Sequence, residues 1–346
     1  MRGAPATARQ VVLARRPAGT PRPEDLRIEE ITLPPLGDGQ VLLETAWLSV
    51  DPLLAIHTSE RPLGGAFPPL PIGAMLPGGG VSRVVASRAP ALPVGAWVEG
   101  RTGWCTASVV SADTVRPIDL RYQKEALGVL GLSGYSAWGG LQLMGDIAGK
   151  TILISGASGA VGGVAGQLAK AAGARAIGLA GGPAKCAYLV DELGFEQAID
   201  HRAGDFADQI RGIEGTVDFY FDNVGSELLL AILPALARGG TIVVCGLMGH
   251  YERDGAGGSS GGPSMDLLLK RAMSHQIRLV GFSNREFDAR RAEFDAYAQS
   301  LIAAGKLTER YDVKSGLNGA ITHLADMFTT DAIGKRLAQL DPAAPD

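Results

Sequence analysis

From residue 149 onward, short apolar runs alternate with longer stretches whose apolar residues recur every three or four positions, the pattern of strands alternating with amphipathic helices. TILIS (151–155) is an uninterrupted apolar run, as a strand covered on both faces requires. A helix of small residues is predicted over 160–172, closed by Gly173, and ARAIGLA (174–180) supplies the second strand. The next helix carries Pro183 in its first turn, Cys186, Leu189, Val190 and Leu193 on one face, and Gly194 as its stop. Further strands are predicted at 197–200, 217–222, 241–246 and 277–282. A long helix follows over 286–304, with Phe294, Tyr297, Leu301 and Ile302 on one face. Parallel strands need crossover helices, so six strands in this rhythm predict a doubly wound α/β nucleotide fold.

The first third has a different texture. Short β segments are predicted at 10–13, 41–46, 81–87 and 96–98, separated by Pro and Gly clusters, and 61–80 is mostly turn chemistry. This part reads as a loop-rich β domain with its boundary near Lys124. After Gly305 there remain a strand near Tyr311, a helix with Ile321, Leu324, Ala325 and Phe328, and a strand over 336–340. So short a segment cannot bury a core of its own. The expected division is therefore 1–124 completed by 306–346, with 125–305 as the nucleotide domain.

Composition narrows the class of partner. A hydrophobic fraction of 46% with 20% charged residues excludes a disordered chain, and the length of 346 residues suits two domains. Lys+Arg number 32 against 36 Asp+Glu, a formal charge of -4 that gives no field for a nucleic-acid partner. The start, MRGAPATARQVVLARRP, is interrupted by Arg9, Arg15 and Arg16 and has no signal-like apolar run. No later segment approaches the roughly 18 apolar residues of a membrane span. A cytoplasmic protein with no membrane partner is expected. Cys105, Cys186 and Cys245 are odd in number and far apart, so neither a disulfide framework nor a zinc cluster is written in them. Glycine, at 48 residues, is about twice its usual share, which implies tight turns and close backbone approaches.

The chemistry begins at GASGAVG (156–162), between the first parallel strand and the first helix. There, Gly156, Gly159 and Gly162 permit a tight turn and close approach of a pyrophosphate, while Ser158, Ala160 and Val161 present backbone amides at a helix N-terminus. No lysine of the NTPase type follows the last glycine. Where an NAD-binding protein places a ribose-binding carboxylate, this chain has Ala180, Gly181 and Gly182. With Lys185 one turn on, and His201 and Arg202 at the end of the third strand, the charge balance favours the 2'-phosphate of NADP(H).

The chain resembles the zinc-independent medium-chain dehydrogenases/reductases, in the branch of prostaglandin reductases and alkenal double-bond reductases. The resemblance rests on DGQVLLETAWLSVDP (38–52), GGGVSRVVASR (78–88), ALGVLGLSGYSAWGGL (126–141), GASGAVGGVAGQLAK (156–170), KCAYLVDELGF (185–195), FDNVG (221–225) and CGLMGHY (245–251), in order along nearly the whole chain. It implies a GroES-like catalytic domain beside the Rossmann domain, an active site in the cleft between them, and a homodimer. It also implies that Asn223, Gly225 and Gly246 lie near the cofactor, that Ser133, Tyr135 and Trp138 line the cleft or pack beside it, and that Tyr251 is a hydroxyl donor. Three positions depart from the family: His201 stands for its usual Tyr, Leu53 for an aromatic after SVDP, and Ala332 for Asn before the final Gly-Lys.

Where zinc-using relatives keep Gly-His-Glu, this chain has Gly73 and Ala74, so no catalytic zinc is expected, and the single His57 after SVDP reads as a packed or exposed side chain. Without a metal to stabilise an alkoxide, a conjugated enone or enal is the easier hydride acceptor. Charge arriving at its β-carbon spreads to the carbonyl oxygen as an enolate. The expectation is NADPH-dependent reduction of the carbon-carbon double bond of α,β-unsaturated ketones or aldehydes. Quinone reduction and a non-catalytic NADPH-binding role are the alternatives. GAGGSSGG (255–262), just after Tyr251, reads as a flexible loop suited to closing over substrate.

Overall fold

Six strands lie fully parallel in the order Gln197–Asp200, Arg175–Ala180, Thr151–Ile154, Val217–Asp222, Leu236–Val244, Arg278–Gly281. The chain runs outward from the central Thr151–Ile154 strand in one direction and then returns to build the other half. This is the doubly wound order, with its switch point between Thr151–Ile154 and Val217–Asp222. The computed structural model describes residues 5–60, 68–251 and 263–340. Period-two alternation sorts the sheet's side chains onto two buried faces. Ile152, Ile154, Phe221 and Val243 pack on one side with residues of the Leu132–Gln142, Ala160–Ala171 and Arg291–Ala303 helices. Leu153, Ile177, Tyr220 and Ile242 pack on the other, with Ile210 and Ile232.

The first third forms a mixed sheet centred on Gln40–Ser49, which pairs antiparallel with Gly80–Ser87, Ala107–Ser111 and Lys335–Gln339. Tyr311–Ser315 adds beside Lys335–Gln339, so the last two strands complete the sheet begun by the first third. A separate hairpin, Thr7–Leu13 with Leu26–Thr32, joins it through Val11 N–H to the Trp104 carbonyl at 2.9 Å. Architecture and expectation agree: a Rossmann sheet plus a GroES-like β-rich part.

Differences from the predicted elements have local causes. The helix expected over 286–304 is a 3-10 turn, Asn284–Arg290, followed by an α-helix, Arg291–Ala303. Ser283 and Glu286 form a capping box at its start. The helix opened by Pro183 is α-helical only through Ala187, and Tyr188–Glu192 is a π turn that buries Tyr188 and Leu189 together. The fifth parallel strand ends at Val244, because the N–H groups of Cys245 and Gly246 both turn to the Asp222 carbonyl, at 2.8 and 3.0 Å. Tyr135 and Trp138 stack at 5.9 Å between centroids, and both lie within 6 Å of the Phe294 ring centroid, so these rings are core packing.

One buried acid marks the seam between the C-terminal segment and the start of the Leu132–Gln142 helix. Glu309 Oε2 accepts the Val129 N–H at 3.0 Å, and a Cβ at Gly128 would lie 1.8 Å from that oxygen, so any side chain there would push the carboxylate off its partner. Burial pushes the Glu309 carboxyl up to about 8, against which Lys335 pulls down. Its folded value lies above the unfolded one, so unfolding releases a proton between the two. The stability this group contributes is full below about pH 4.5 and declines as pH rises to about 8. Glu309→Gln should flatten that decline in a series of melting temperatures; an unchanged pH profile would show the carboxyl to be ionised in the fold.

Candidate active site

The Thr151–Ile154 strand leads into Ser155 and then Gly156, whose φ of +58° only glycine adopts at little cost. Gly159 N–H closes the turn on the Gly156 carbonyl at 3.0 Å, and Gly159 caps the Ala160–Ala171 helix. The first-turn amides of that helix, from Ala160, Val161 and Gly162, have no acceptor within it. A Cβ at Gly162 would lie 2.5 Å from the Gly156 carbonyl oxygen and 2.7 Å from the Ala157 Cα. Gly162→Ala should therefore cost about 1 to 3 kcal/mol of stability. A melting temperature equal to that of the wild type would show that the turn has room.

Across the switch point, Asp222 knots the two strand ends. It is fully buried, and its Oδ1 accepts from Ser155 Oγ at 3.0 Å, the Gly225 N–H at 2.8 Å and the Val224 N–H at 3.0 Å. Asn223 completes the knot, donating its side-chain amide to the Ser155 carbonyl at 2.7 Å and its N–H to Ser155 Oγ at 2.9 Å. The Asn223 carbonyl in turn accepts from Met248 N–H at 3.1 Å, docking the short Met248–Tyr251 helix at the end of the sheet. A Cβ at Gly246 would stand 3.0 Å from the same carbonyl. The structure thus brings Gly156, Asn223, Gly246 and the backbone leading to Tyr251 to one place. The Tyr251 side chain and the GAGGSSGG stretch lie outside the described residues.

At the end of the second strand, Gly182 has φ of +93°, and its N–H, like that of Arg202, donates to Asp200 Oδ1 at 2.9 Å. The Arg202 guanidinium lies over Gly181, where a Cβ would come within 2.6 Å of Nε. Lys185 Nζ converges on the same region, its side chain only 13% exposed. Desolvation of the His201 ring, then the charge of Arg202, lowers its pKa although the residue keeps much of its surface exposed. It therefore offers a neutral hydrogen-bonding edge beside two cations.

A cleft of about 390 Å³ opens between the two parts, lined by Ser49, Asp51, His57 and Gly78 on one side and by Leu127, Leu132 and Arg291 on the other. It is tied to the glycine turn through the last strand. Asp51 pairs with the buried Lys335, and the neighbouring Gly334 donates its N–H to the Ser158 carbonyl at 2.8 Å. Ser49 Oγ donates to Asp51 Oδ2 at 2.5 Å. Local patterns in the chain do not reveal Asp51–Lys335, Asp200 or Asp222 as site residues, since each acts through a partner distant in sequence. Burial raises the thiols of Cys105 to about 11 and Cys245 to about 12, and Cys186 also upward, so none is a ready nucleophile. Among the described residues no three His, Cys, Asp or Glu side chains converge as metal ligands.

Residues 9–118 match the family described as the N-terminal domain of oxidoreductase, and residues 160–302 match the zinc-binding dehydrogenase family. The NADPH-dependent curcumin reductase of Escherichia coli K12 is 37% identical over 317 residues, covering 90% of this chain and 91% of its own. Prostaglandin reductase 1 of Oryctolagus cuniculus is 32% identical over 335 residues, covering 92% of this chain and 89% of its own. The crystal structure of CurA from Vibrio vulnificus in complex with NADPH superposes with a TM-score of 0.89 at 33% identity, over 96% of this chain and 99% of that one. The chain belongs to the medium-chain dehydrogenase/reductase superfamily, in its zinc-independent branch of prostaglandin and alkenal double-bond reductases.

Proposed function

We propose that the protein is an NADPH-dependent reductase of the carbon-carbon double bond in α,β-unsaturated ketones and aldehydes. The observation that carries the reading is the joining of two features in one site. One is a tight glycine turn, closed on its own backbone at Gly156 and Gly162, that opens a helix N-terminus at the end of a central parallel strand; the other is a pair of cations, Lys185 and Arg202, at a strand end without a ribose-binding carboxylate. The fit to NADP(H) is supported by first-turn amides that have no acceptor within their own helix and by the convergence of Lys185, Arg202 and neutral His201 on the adenosine side. The NADPH dependence of the curcumin reductase relative supports the same cofactor.

When bound, NADPH supplies a hydride to the β-carbon of the conjugated acceptor. The chain's own residues do the rest. Gly156, Ser158, Gly159, Ala160, Val161 and Gly162 cradle the pyrophosphate with backbone amides. Asn223 and Gly246 bound the nicotinamide side of the switch point. Tyr251 donates a hydrogen bond to the enolate oxygen and then a proton, so that charge leaving the double bond meets a donor already in place. No metal takes part.

The same reading places the division at 1–124 with 306–346 and at 125–305, supported by the pairing of Lys335–Gln339 with Gln40–Ser49. It makes the protein a cytoplasmic homodimer with no nucleic-acid or membrane partner. Three unpaired thiols suit a reducing compartment, and the open edge strand Arg278–Gly281, with Leu279 53% exposed, suits strand pairing between Rossmann sheets. Among the described residues no helix is long and apolar enough to cross a membrane. NADPH consumption over a panel of enals, enones, quinones and saturated aldehydes tests the function. Turnover of enals and enones with quinones idle is expected. Quinone turnover alone would make the protein a quinone reductase, and NADPH binding without any oxidation would make it a regulatory binder.

A further inference from the structure

The cations assigned to the 2'-phosphate already hold an anion of the chain itself. Asp331 Oδ1 lies 2.8 Å from Arg202 Nη1 and 3.5 Å from Lys185 Nζ, bridging both. It comes from the loop before the last strand, about 130 residues beyond Arg202, and so is placed there by the fold and not by neighbourhood in sequence. Three residues on, Gly334 is fastened to the glycine turn through the Ser158 carbonyl, and Lys335 is fastened to Asp51. The carboxylate is thus held within reach of the cations while remaining 74% exposed and free to swing aside.

Resting on the NADPH reading above, we infer that Asp331 is a specificity-determining residue, an internal competitor that occupies the 2'-phosphate seat and must be displaced when NADPH or NADP+ binds. A phosphate dianion and a carboxylate cannot both pair closely with Lys185 and Arg202 without facing each other. Two ion pairs are therefore exchanged, not simply gained, at each binding event. The exchange keeps Lys185, little exposed as it is, from standing as a lone charge between turnovers. It also weakens NADP+ enough to leave, and it lowers the margin by which NADPH is preferred over NADH. The hold of its two cation partners keeps the Asp331 carboxyl below the ordinary range, with Arg202 the larger influence, so the competitor is charged throughout the working pH range.

Calorimetric titration of the whole chain with 2',5'-ADP and with 5'-AMP, for wild type, Asp331→Asn and Lys185→Ala, tests this. Asp331→Asn keeps the shape of an exposed side chain, so folding is not at stake. Release of the two ion pairs of the exposed Asp331 carboxylate should tighten 2',5'-ADP about 3- to 10-fold, with 5'-AMP within about twofold. The gain should shrink as salt is raised, since the competing carboxylate and its Arg202 partner are exposed. If Lys185→Ala weakens 2',5'-ADP while Asp331→Asn leaves it unchanged or weaker, the competitor role is overturned and the phosphate reading stands. If Lys185→Ala and Asp331→Asn both leave 2',5'-ADP unchanged, the phosphate seat itself is misplaced and both fall.

Discussion

Lys185→Ala should weaken NADPH by about 1.5 to 3 kcal/mol, or roughly 10- to 150-fold, while NADH binding stays nearly the same. The size follows from the environment. The Lys185 side chain is only 13% exposed, so its charge is less screened than a surface ammonium, and a phosphate dianion is a stronger partner than the Asp331 carboxylate it replaces. The loss should not be total, because Arg202 keeps its guanidinium over Gly181. Specificity is the sensitive readout, since the ratio of kcat/KM for NADPH and NADH isolates the phosphate from every contact the two cofactors share. Equal losses for both would mean that the variant had damaged the Pro183–Ala187 turn instead of removing a phosphate partner.

Tyr251→Phe should lower kcat by about 100-fold, near 2.7 kcal/mol, with little change in the KM for the enone. A donor to the enolate acts where charge develops, so its removal raises the barrier more than it weakens ground-state binding. The phenylalanine ring keeps the volume and apolar character of the tyrosine. The backbone that carries it is held independently, by Met248 N–H on the Asn223 carbonyl and Gly249 N–H on the Val224 carbonyl at 2.9 Å. Wild-type kcat in this variant would take the hydroxyl out of the reaction and leave water in the cleft as the proton source.

Much of the nucleotide fold is legible in the chain because a strand buried on two faces has few alternatives. Gln197–Asp200 and Val217–Asp222 begin and end where the apolar runs do, and the glycine turn is announced by its place between strand and helix. The β-rich part is less legible. Leu26–Thr32, Ala107–Ser111 and Val115–Pro117 are half-exposed strands whose pairing depends on partners far along the chain, and their patterns alone do not single them out. The same reason hides part of the site. Lys185 can be read as a phosphate partner from its distance to the strand end, but the carboxylate that answers it comes from residue 331. Asp222 reads as one acid in FDNVG until Ser155 is brought against it. Glu309 is polar in sequence, and only the fold reveals that it is buried against Val129.

The central claim is that this site passes a hydride only into a conjugated system, at carbon and not at a carbonyl. Enzymatic turnover of an enone with NADPH deuterated at the transferable position, followed by nuclear magnetic resonance of the product, tests it most directly. The account predicts a saturated ketone carrying deuterium on the carbon β to the carbonyl and a solvent proton on the α-carbon. Deuterium on a carbinol carbon, with the double bond intact, would contradict it.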